Sequence, residues 1–580
     1  MSTFRQGTEL MSVIVVDYDP TTGDGVPGGT PYLFLIRTDI PSLYYYNGPL
    51  DTDWVQVGNS SSDNLVFNVK DFGATGNGIT DDSDDIRDAI TAASDAGGGV
   101  VYFPNGTYII SEDDSDSACL ILPSDVTLYG QSKESAIIKM AAGQASSVRP
   151  ILVGVPGGAS VVSDVRIANL TIDGNKLLQS TDEHRAGIFL WNSLRTVIED
   201  VILQNNTGDG VDIFVAQFTV VQRCFCLDND RKAITIDGGP SSYMAIRDCE
   251  FVGNKEGAVV CEAEVACQWI LVEDCYCGYP TDPGVCVSMG PFAQDSHLRG
   301  LQIFGGLEVY QATRTTVSEC YVETDADGNQ PLFIGEFVDY VIIDSCTIYQ
   351  PLPQANNEII IIQGSESVGP QPTNVIIQNC DIITAWDTSN GILINNANNV
   401  WIRDNRLQNT ASGNTATAIA SFATDASQPP PTQGNVIVEG NYILGWLVGI
   451  SAGLNTGGLT MGPLVVNDNL IDTCTNAYNM STSDGGPSQV EMAGNDTVNV
   501  TNVWQTVSDP TPRITYPPCP ILISGLRGAG GVYQCSGSPN SQIAEIIGAM
   551  ALQRDGSGGI VGWIKTSGSG DTGWQSINVT

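Results

Sequence analysis

The chain has 580 residues, of which 65 are acidic and 24 basic, and its net charge of −41 excludes a nucleic-acid backbone or an anionic membrane surface as partner. A composition of 42% hydrophobic and 15% charged residues with 63 glycines suits strands and tight turns rather than helices or disorder. The length requires several domains or an elongated repeat.

Only His184 and His297 are present, so chemistry built on clustered histidines has little material, carboxylates become the first candidates, and no metal or other cofactor is expected. The opening stretch "MSTFRQGTELMSVIVVDYDP" lacks a charged-then-apolar-then-small signal pattern. No apolar run reaches the roughly 18 residues of a membrane span. The expectation is a protein made in the cytoplasm, neither secreted by a signal peptide nor inserted in a membrane.

In chain order, the first organised stretch is "FLIRTDIPSLYYYNGPLDTDWVQVG" (34–58), read as Arg-Asp, a turn, an aromatic strand, a polar loop and a Trp strand. Next comes "FNVKDFGATGNGITDDSDDIRDAITAASDAGGGVVYFPNGTYII" (67–110). There Gly73, Gly76 and Gly78 make turns, Asp82 or Ser83 caps a helix, and Ile86 and Ile90 share a face able to cover the open end of a solenoid. This segment closely resembles the opening of pectate-lyase-superfamily proteins, which implies an all-β, right-handed parallel β-helix. The motif is specific for fold and weakly specific for chemistry.

Six strands then align in register: "GIFLW" (187–191), "GVDIF" (210–214), "AITID" (233–237), "AVVCE" (258–262), "GVCVS" (284–288) and "GLEVY" (306–310). Their second and fourth positions are all apolar and point inward by period-two alternation. The third and fifth positions face out: Phe189/Trp191, Asp212/Phe214, Thr235/Asp237, Val260/Glu262, Cys286/Ser288 and Glu308/Tyr310. Carboxylates among aromatics suit a sugar-binding groove, since rings stack on sugar faces while acids bond hydroxyls.

Stacked strands about 4.8 Å apart bring Asp237 and Glu262 near enough to titrate as a pair, and suit them to act as acid and nucleophile. Asp212 and Asp237, on a diagonal of about 7–8 Å, suit base and acid in an inverting reaction. Phe189, Trp191, Phe214, Glu308 and Tyr310 are the substrate-binding candidates. The plainer alternative is that acids in so acidic a chain reach an exposed sheet by composition alone. Arg185, Arg231 and Lys232 fall in turns beside this face, either as ligands for acidic sugars or as solvated charges.

Along the same stretch runs an internal repeat. "VVQRCFC", "AIRDCEF", "LVEDCYC", "TVSECYV", "IIDSCTI" and "IIQNCDI" place Cys224, Cys249, Cys275, Cys320, Cys346 and Cys380 at one equivalent position. Val201 precedes the series, Leu301 lies within it, and Asn405, Asn441, Asn469 and Asn495 continue it. The first cysteines are 25 and 26 residues apart, too close for a βαβ unit of about 30 residues and suited to one coil of a parallel solenoid.

A column that exchanges Cys with Val and Leu is an apolar interior column, not a metal site or a disulfide framework. The asparagines that follow can bond one another and the turn backbone. "DADGN" (325–329) begins like a calcium loop but has Gln330 where the glycine of the sharp turn belongs, and reads as a polar turn.

The C-terminal "ALQRDGSGGIVGWIKTSGSGDTGWQSI" (551–577) repeats the N-terminal plan. This plan resembles accessory modules of bacteriophage tailspikes and tail fibres, while as plain hairpins the two units would cover exposed sheet edges. The expected organisation is an N-terminal virion-attachment or capping module (1–63), a parallel β-helix (64–510) and a C-terminal β module (511–580). The resemblance implies a homotrimeric virion tail protein that attaches to other tail proteins and grips and cleaves host-surface polysaccharide. A non-catalytic receptor-binding protein and a free pectinase-like enzyme are the alternatives. The His- and Arg-bearing motifs of pectin hydrolases are missing, which puts pectin in doubt.

Overall fold

The computed structural model describes residues 65–507 except 113–117, 155–159, 182–183, 283–284, 325–329, 352–357, 365–370, 387–389, 424–433, 455–461 and 482–489, together with the backbone of strands lying between 2–56 and 532–577. The chain divides into two units, Met1–Phe333 and Ile334–Thr580.

In the first unit, successive coils contribute strands, joined at corners, to a parallel stack. Val211–Gln222 pairs with Ile188–Glu199 on one side and with Lys232–Asp237 and Ser242–Arg247 on the other, all parallel. A second stack is built from short strands, among them Ile202–Gln204, Phe225–Leu227, Glu250–Val252, Tyr276–Cys277, Gln302–Phe304 and Tyr321–Glu323, again parallel. This is the parallel β-helix that the repeat predicts. Alternation does the sorting, since Ile188, Leu190, Val211, Ile213, Ile234, Ile236, Val259 and Cys261 are all fully buried.

The helix Ser83–Asp95 buries Ile86, Ala89, Ile90 and Ala93, as its spacing predicts. Its cap differs from expectation: Asp82 stands at the N-cap but makes no capping bond. Its buried carboxylate instead accepts from the Thr75 and Gly76 backbone amides at 2.6 and 3.1 Å, tying down the glycine turn. Gly76 has φ +61, and a Cβ there would lie 2.8 Å from the Tyr108 ring, so no other residue fits.

The corners hold a feature that no sequence pattern announced. Asp164, Arg195, Phe218, Tyr243, Trp269, Asp295 and Arg314 all have left-handed backbone, and the strand register places them at one position on successive coils. Their side chains stack. Arg195 forks onto Asp164, the Phe218, Tyr243 and Trp269 rings lie parallel at 4.6 and 4.3 Å, and Arg314 forks onto Asp295 at 2.6 and 2.8 Å. These contacts offset the cost of a left-handed turn at each non-glycine residue.

The ladder takes the expected interior place at every rung but the last, Asn495, which is half-buried. Val201, Cys224, Cys249, Cys275, Leu301 and Cys320 are buried in the first unit, as are Cys346, Cys380, Asn405, Asn441 and Asn469 in the second. A second, unforeseen run of stacked amides, Asn206, Asn229 and Asn254, is linked side chain to side chain at 2.8 Å.

All thirteen described cysteines are buried thiols outside any disulfide. Under non-reducing conditions, thiol titration of the unfolded protein is therefore expected to count close to the 15 cysteines of the sequence. A count several pairs lower would overturn the assignment.

The second unit repeats the plan. Asp339–Asp344, Thr373–Gln378, Asn398–Arg403, Val436–Glu439 and Leu464–Asn467 pair successively in parallel. At the chain ends the backbone forms two similar antiparallel meanders: Phe34–Arg37, Ser42–Tyr46 and Trp54–Gln56, and Met550–Arg554, Ile560–Lys565 and Trp574–Ile577. Among the described residues no helix is long and apolar enough to cross a membrane.

Candidate active site

The outward face of the first unit follows the predicted register at five of six strands. Phe189 pairs with Asp212 and Trp191 with Phe214, Asp212 with Thr235 and Phe214 with Asp237, and Thr235 with Val260. The fifth, 284–288, differs, because Val259, Val260 and Cys261 pair with Val287, Ser288 and Met289, two residues beyond the expected partners. Ser288 then pairs with Glu308, and Cys286 is fully buried. A slip of two preserves the facing, and the apolar run Val285 to Met289 satisfies the alternation in either register.

The face is less open than expected. Phe189 is 6% exposed and packs with Ala118 and Leu152, with the Arg149 guanidinium 4.1 Å above its ring. It is thus covered rather than offered to a ligand. Trp191 and Phe214 are stacked at 4.8 Å, within 9° of parallel. Gly238, at φ +66, permits this, since a Cβ there would fall 1.7 Å from the Phe214 ring. Tyr310 is half-buried and its hydroxyl accepts from Gln311 at 2.7 Å. Glu308 accepts from Ser288 Oγ at 3.3 Å, and burial raises its carboxyl above the usual range.

Asp212 is the distinctive group. It is 9% exposed, and its Oδ1 is buried without a hydrogen-bond partner. Burial first, then the neighbouring carboxylates of Asp209 and Asp237, push it up to about 8, against the opposing pull of Arg149 and Arg231. A carboxyl so placed holds its proton at neutral pH. Asp237, one coil on, accepts from the Gly238 amide at 2.5 Å.

Glu262 is held by two cations rather than paired with Asp237. Arg231 donates to its Oε1 at 2.6 Å and Lys232 Nζ to its Oε2 at 2.8 Å. Arg231 also reaches Asp209 at 3.0 Å, and the Lys232 amide donates to the same carboxylate at 3.0 Å. Arg231 and Lys232 are thus fixed members of an ion-pair network rather than solvated turn charges. Arg185 lies elsewhere, fully buried and donating to the Ser180 and Ala145 carbonyls at 3.1 and 2.5 Å.

Sequence reasoning missed Asp209, which burial raises to about 6 despite Arg231. Its spacing in "GDGVDI", three residues before Asp212, was the available signal. The stretch 325–329 lies outside the described residues.

Residues 66–289 match the family model described as rhamnogalacturonase A/epimerase, pectate lyase-like. Alginate lyase 7 of Azotobacter vinelandii is 42% identical over 113 residues, covering 19% of this chain and 13% of its own length. Mannuronan C5-epimerase AlgE1 of the same organism is 41% identical over 114 residues, covering 19% and 8%. The match therefore spans about a tenth of the length of these curated relatives.

Among solved structures, the A-module of mannuronan C-5 epimerase AlgE6 from Azotobacter vinelandii is 20% identical with a TM-score of 0.41, covering 74% of this chain and 99% of its own. PfbA, a surface adhesin of Streptococcus pneumoniae, is 15% identical with a TM-score of 0.45, covering 63% and 94%. ORF18 of Geobacillus virus E2 is 16% identical with a TM-score of 0.30, covering 70% and 74%.

Proposed function

We propose that this chain, pectate-lyase-like over residues 66–289, hydrolyses a polysaccharide at the outward face of its first unit, with Asp212 as general acid and Asp237 as general base. The observation that carries the proposal is the buried, unpartnered Asp212 beside Asp237 and the stacked Trp191 and Phe214. Relatives named for alginate and mannuronan chemistry support a sugar polymer as substrate class.

Asp212 gives its proton to the glycosidic oxygen as the C–O bond breaks. Asp237 takes a proton from the water that attacks the anomeric carbon. The diagonal of about 7–8 Å between the two positions leaves room for that water and favours inversion. Relative to the expectation from sequence, the roles of Asp212 and Asp237 are exchanged, because the more deeply buried carboxyl is the one that keeps its proton. Glu262, held by two cations, orients Arg231 and Lys232. Trp191 and Phe214 offer a ring edge to the sugar.

The biological setting is proposed as a virion tail, made in the host cytoplasm and joined to other tail proteins through the N-terminal segment, with host-surface polysaccharide as ligand and three copies assembled. The shared meander plan at the two chain ends supports this. A non-catalytic receptor-binding role is the second reading, favoured by the low exposure of Phe189 and Asp212.

Host-surface polysaccharide incubated with the parent protein is expected to release reducing ends, and with Asp237→Asn to release them about 10²–10⁴-fold more slowly. Equal release by both proteins would remove Asp237 from the mechanism. No release by the parent would favour the binding-only reading.

A further inference from the structure

On the short-strand stack of the first unit, away from the Asp212 face, period-two alternation turns Phe251, Cys277, Ile303 and Val322 inward, where they are buried. It turns Glu250, Tyr276, Phe304, Tyr321 and Glu323 outward. Register stacks Glu250, Tyr276, Gln302 and Tyr321 in one column, and Phe304 beside Glu323 in the next. The rings converge. Phe304 lies 5.4 Å from Tyr276, 5.4 Å from Tyr279 and 5.9 Å from Tyr321, each tilted between 43° and 57°. Tyr276 remains 39% exposed and Tyr279 36%.

Two of the four rings are tied to one carboxylate. Tyr279 donates to Glu323 Oε1 at 3.0 Å and Tyr321 to Glu323 Oε2. Each carboxylate oxygen has two acceptor sites, so both keep capacity for a further donor after binding its tyrosine. Large rings exposed on a rigid sheet, rimmed by acceptors, supply the two kinds of contact a sugar needs: apolar faces against its C–H surface and oxygens for its hydroxyls.

We propose that Tyr276, Tyr279, Phe304 and Tyr321, with Glu323, form a second, non-catalytic saccharide-binding platform. The inference rests on the reading of the protein as carbohydrate-acting. Its ligand is an uncharged sugar chain. The charged groups of the platform, Glu250 and Glu323, are both acids, and a chain of net charge −41 repels polyuronates and other acidic polymers. The platform anchors a polymer whose cleavage occurs on a different sheet, so its loss lowers affinity for long chains and leaves turnover of short ones intact.

The test is native gel electrophoresis of the full chain through gels containing dextran, galactomannan or polygalacturonate. The parent is expected to be retarded by at least one of the two neutral polymers. In Tyr276→Ala/Tyr279→Ala, retardation should weaken about tenfold or more, the loss typical of truncated aromatic anchors, with an unchanged melting temperature. The Tyr276→Phe/Tyr279→Phe variant, which keeps the rings, should retain most of it.

Retardation by polygalacturonate alone, by none of the three, or undiminished in the alanine variant overturns the platform. A parent that cleaves nothing yet is retarded through these tyrosines would defeat the hydrolase reading and leave the platform standing.

Discussion

Replacing Asp212 with Asn is expected to slow polysaccharide cleavage about 10²–10⁴-fold, the range for a positioned general acid, while making the protein more stable than the parent at alkaline pH. The two effects have one cause. Burial, together with Asp209 and Asp237, raises the folded-state value of Asp212 to about 8, whereas an unfolded aspartate titrates near ~3.9.

Between those values the native state holds a proton that the unfolded state releases, so stability falls as pH rises through this window and levels off above about 8. Asparagine has no such proton. The difference in melting temperature, variant minus parent, should therefore grow from about pH 4 to about pH 8, and parent activity should decline as pH passes 8 and the acid form is lost. A flat difference would show that Asp212 ionises normally, and unchanged cleavage would remove it as the acid.

The sequence was most informative where one physical rule acts alone. Alternation of apolar residues in the strands around 188–191, 211–214 and 234–237 specified which side chains face out, and the repeat spacing excluded a crossover helix. Register at 287–289 was not legible, because a run in which Val285, Val287 and Met289 all suit the interior accepts a two-residue shift without changing any facing.

The left-handed corners were invisible for a different reason. Arg195, Phe218, Tyr243 and Trp269 have no intrinsic preference for positive φ, and adopt it because their side chains stack on neighbours a coil away. Solvent cover was equally unreadable. Phe189 belongs to an outward column, yet the packing of Ala118 and Leu152 buries it, and a strand pattern carries no trace of such neighbours. The protonated state of Asp212 arises from the same burial, so sequence could find the residue and not its role.

The ladder offers the sharpest contrast in stability. In the second unit Asn441 is buried. Its Nδ2, with two N–H donors, lies within reach of three acceptors, the Ile402 carbonyl at 2.9 Å, the Glu439 carbonyl at 3.0 Å and Asn469 Oδ1 at 2.9 Å. Its Oδ1 accepts from the Asn405 amide and from Asn405 Nδ2, both at 3.0 Å. Asn441→Leu would keep the branched shape and strand these partners without water. Leaving a single buried polar group unsatisfied costs about 1–3 kcal/mol, and here several lose their partner at once, so a loss of about 3 kcal/mol or more is expected.

The cysteine rungs present the same geometry with a weaker atom. The Cys224 amide approaches Cys249 Sγ at 3.4 Å, and the Cys224 thiol reaches the Gln222 carbonyl at 3.3 Å. A thiol is a poor donor and acceptor, and the neighbouring rung of the same column is Val201, so Cys224→Val should cost less than about 1.5 kcal/mol. Denaturant midpoints followed by circular dichroism would measure both. If Asn441→Leu were as stable as Cys224→Val, the stacked amides would be passengers in a column held together by packing alone; if both were severely destabilised, the thiols would share the hydrogen-bonding role that distinguishes the asparagine rungs.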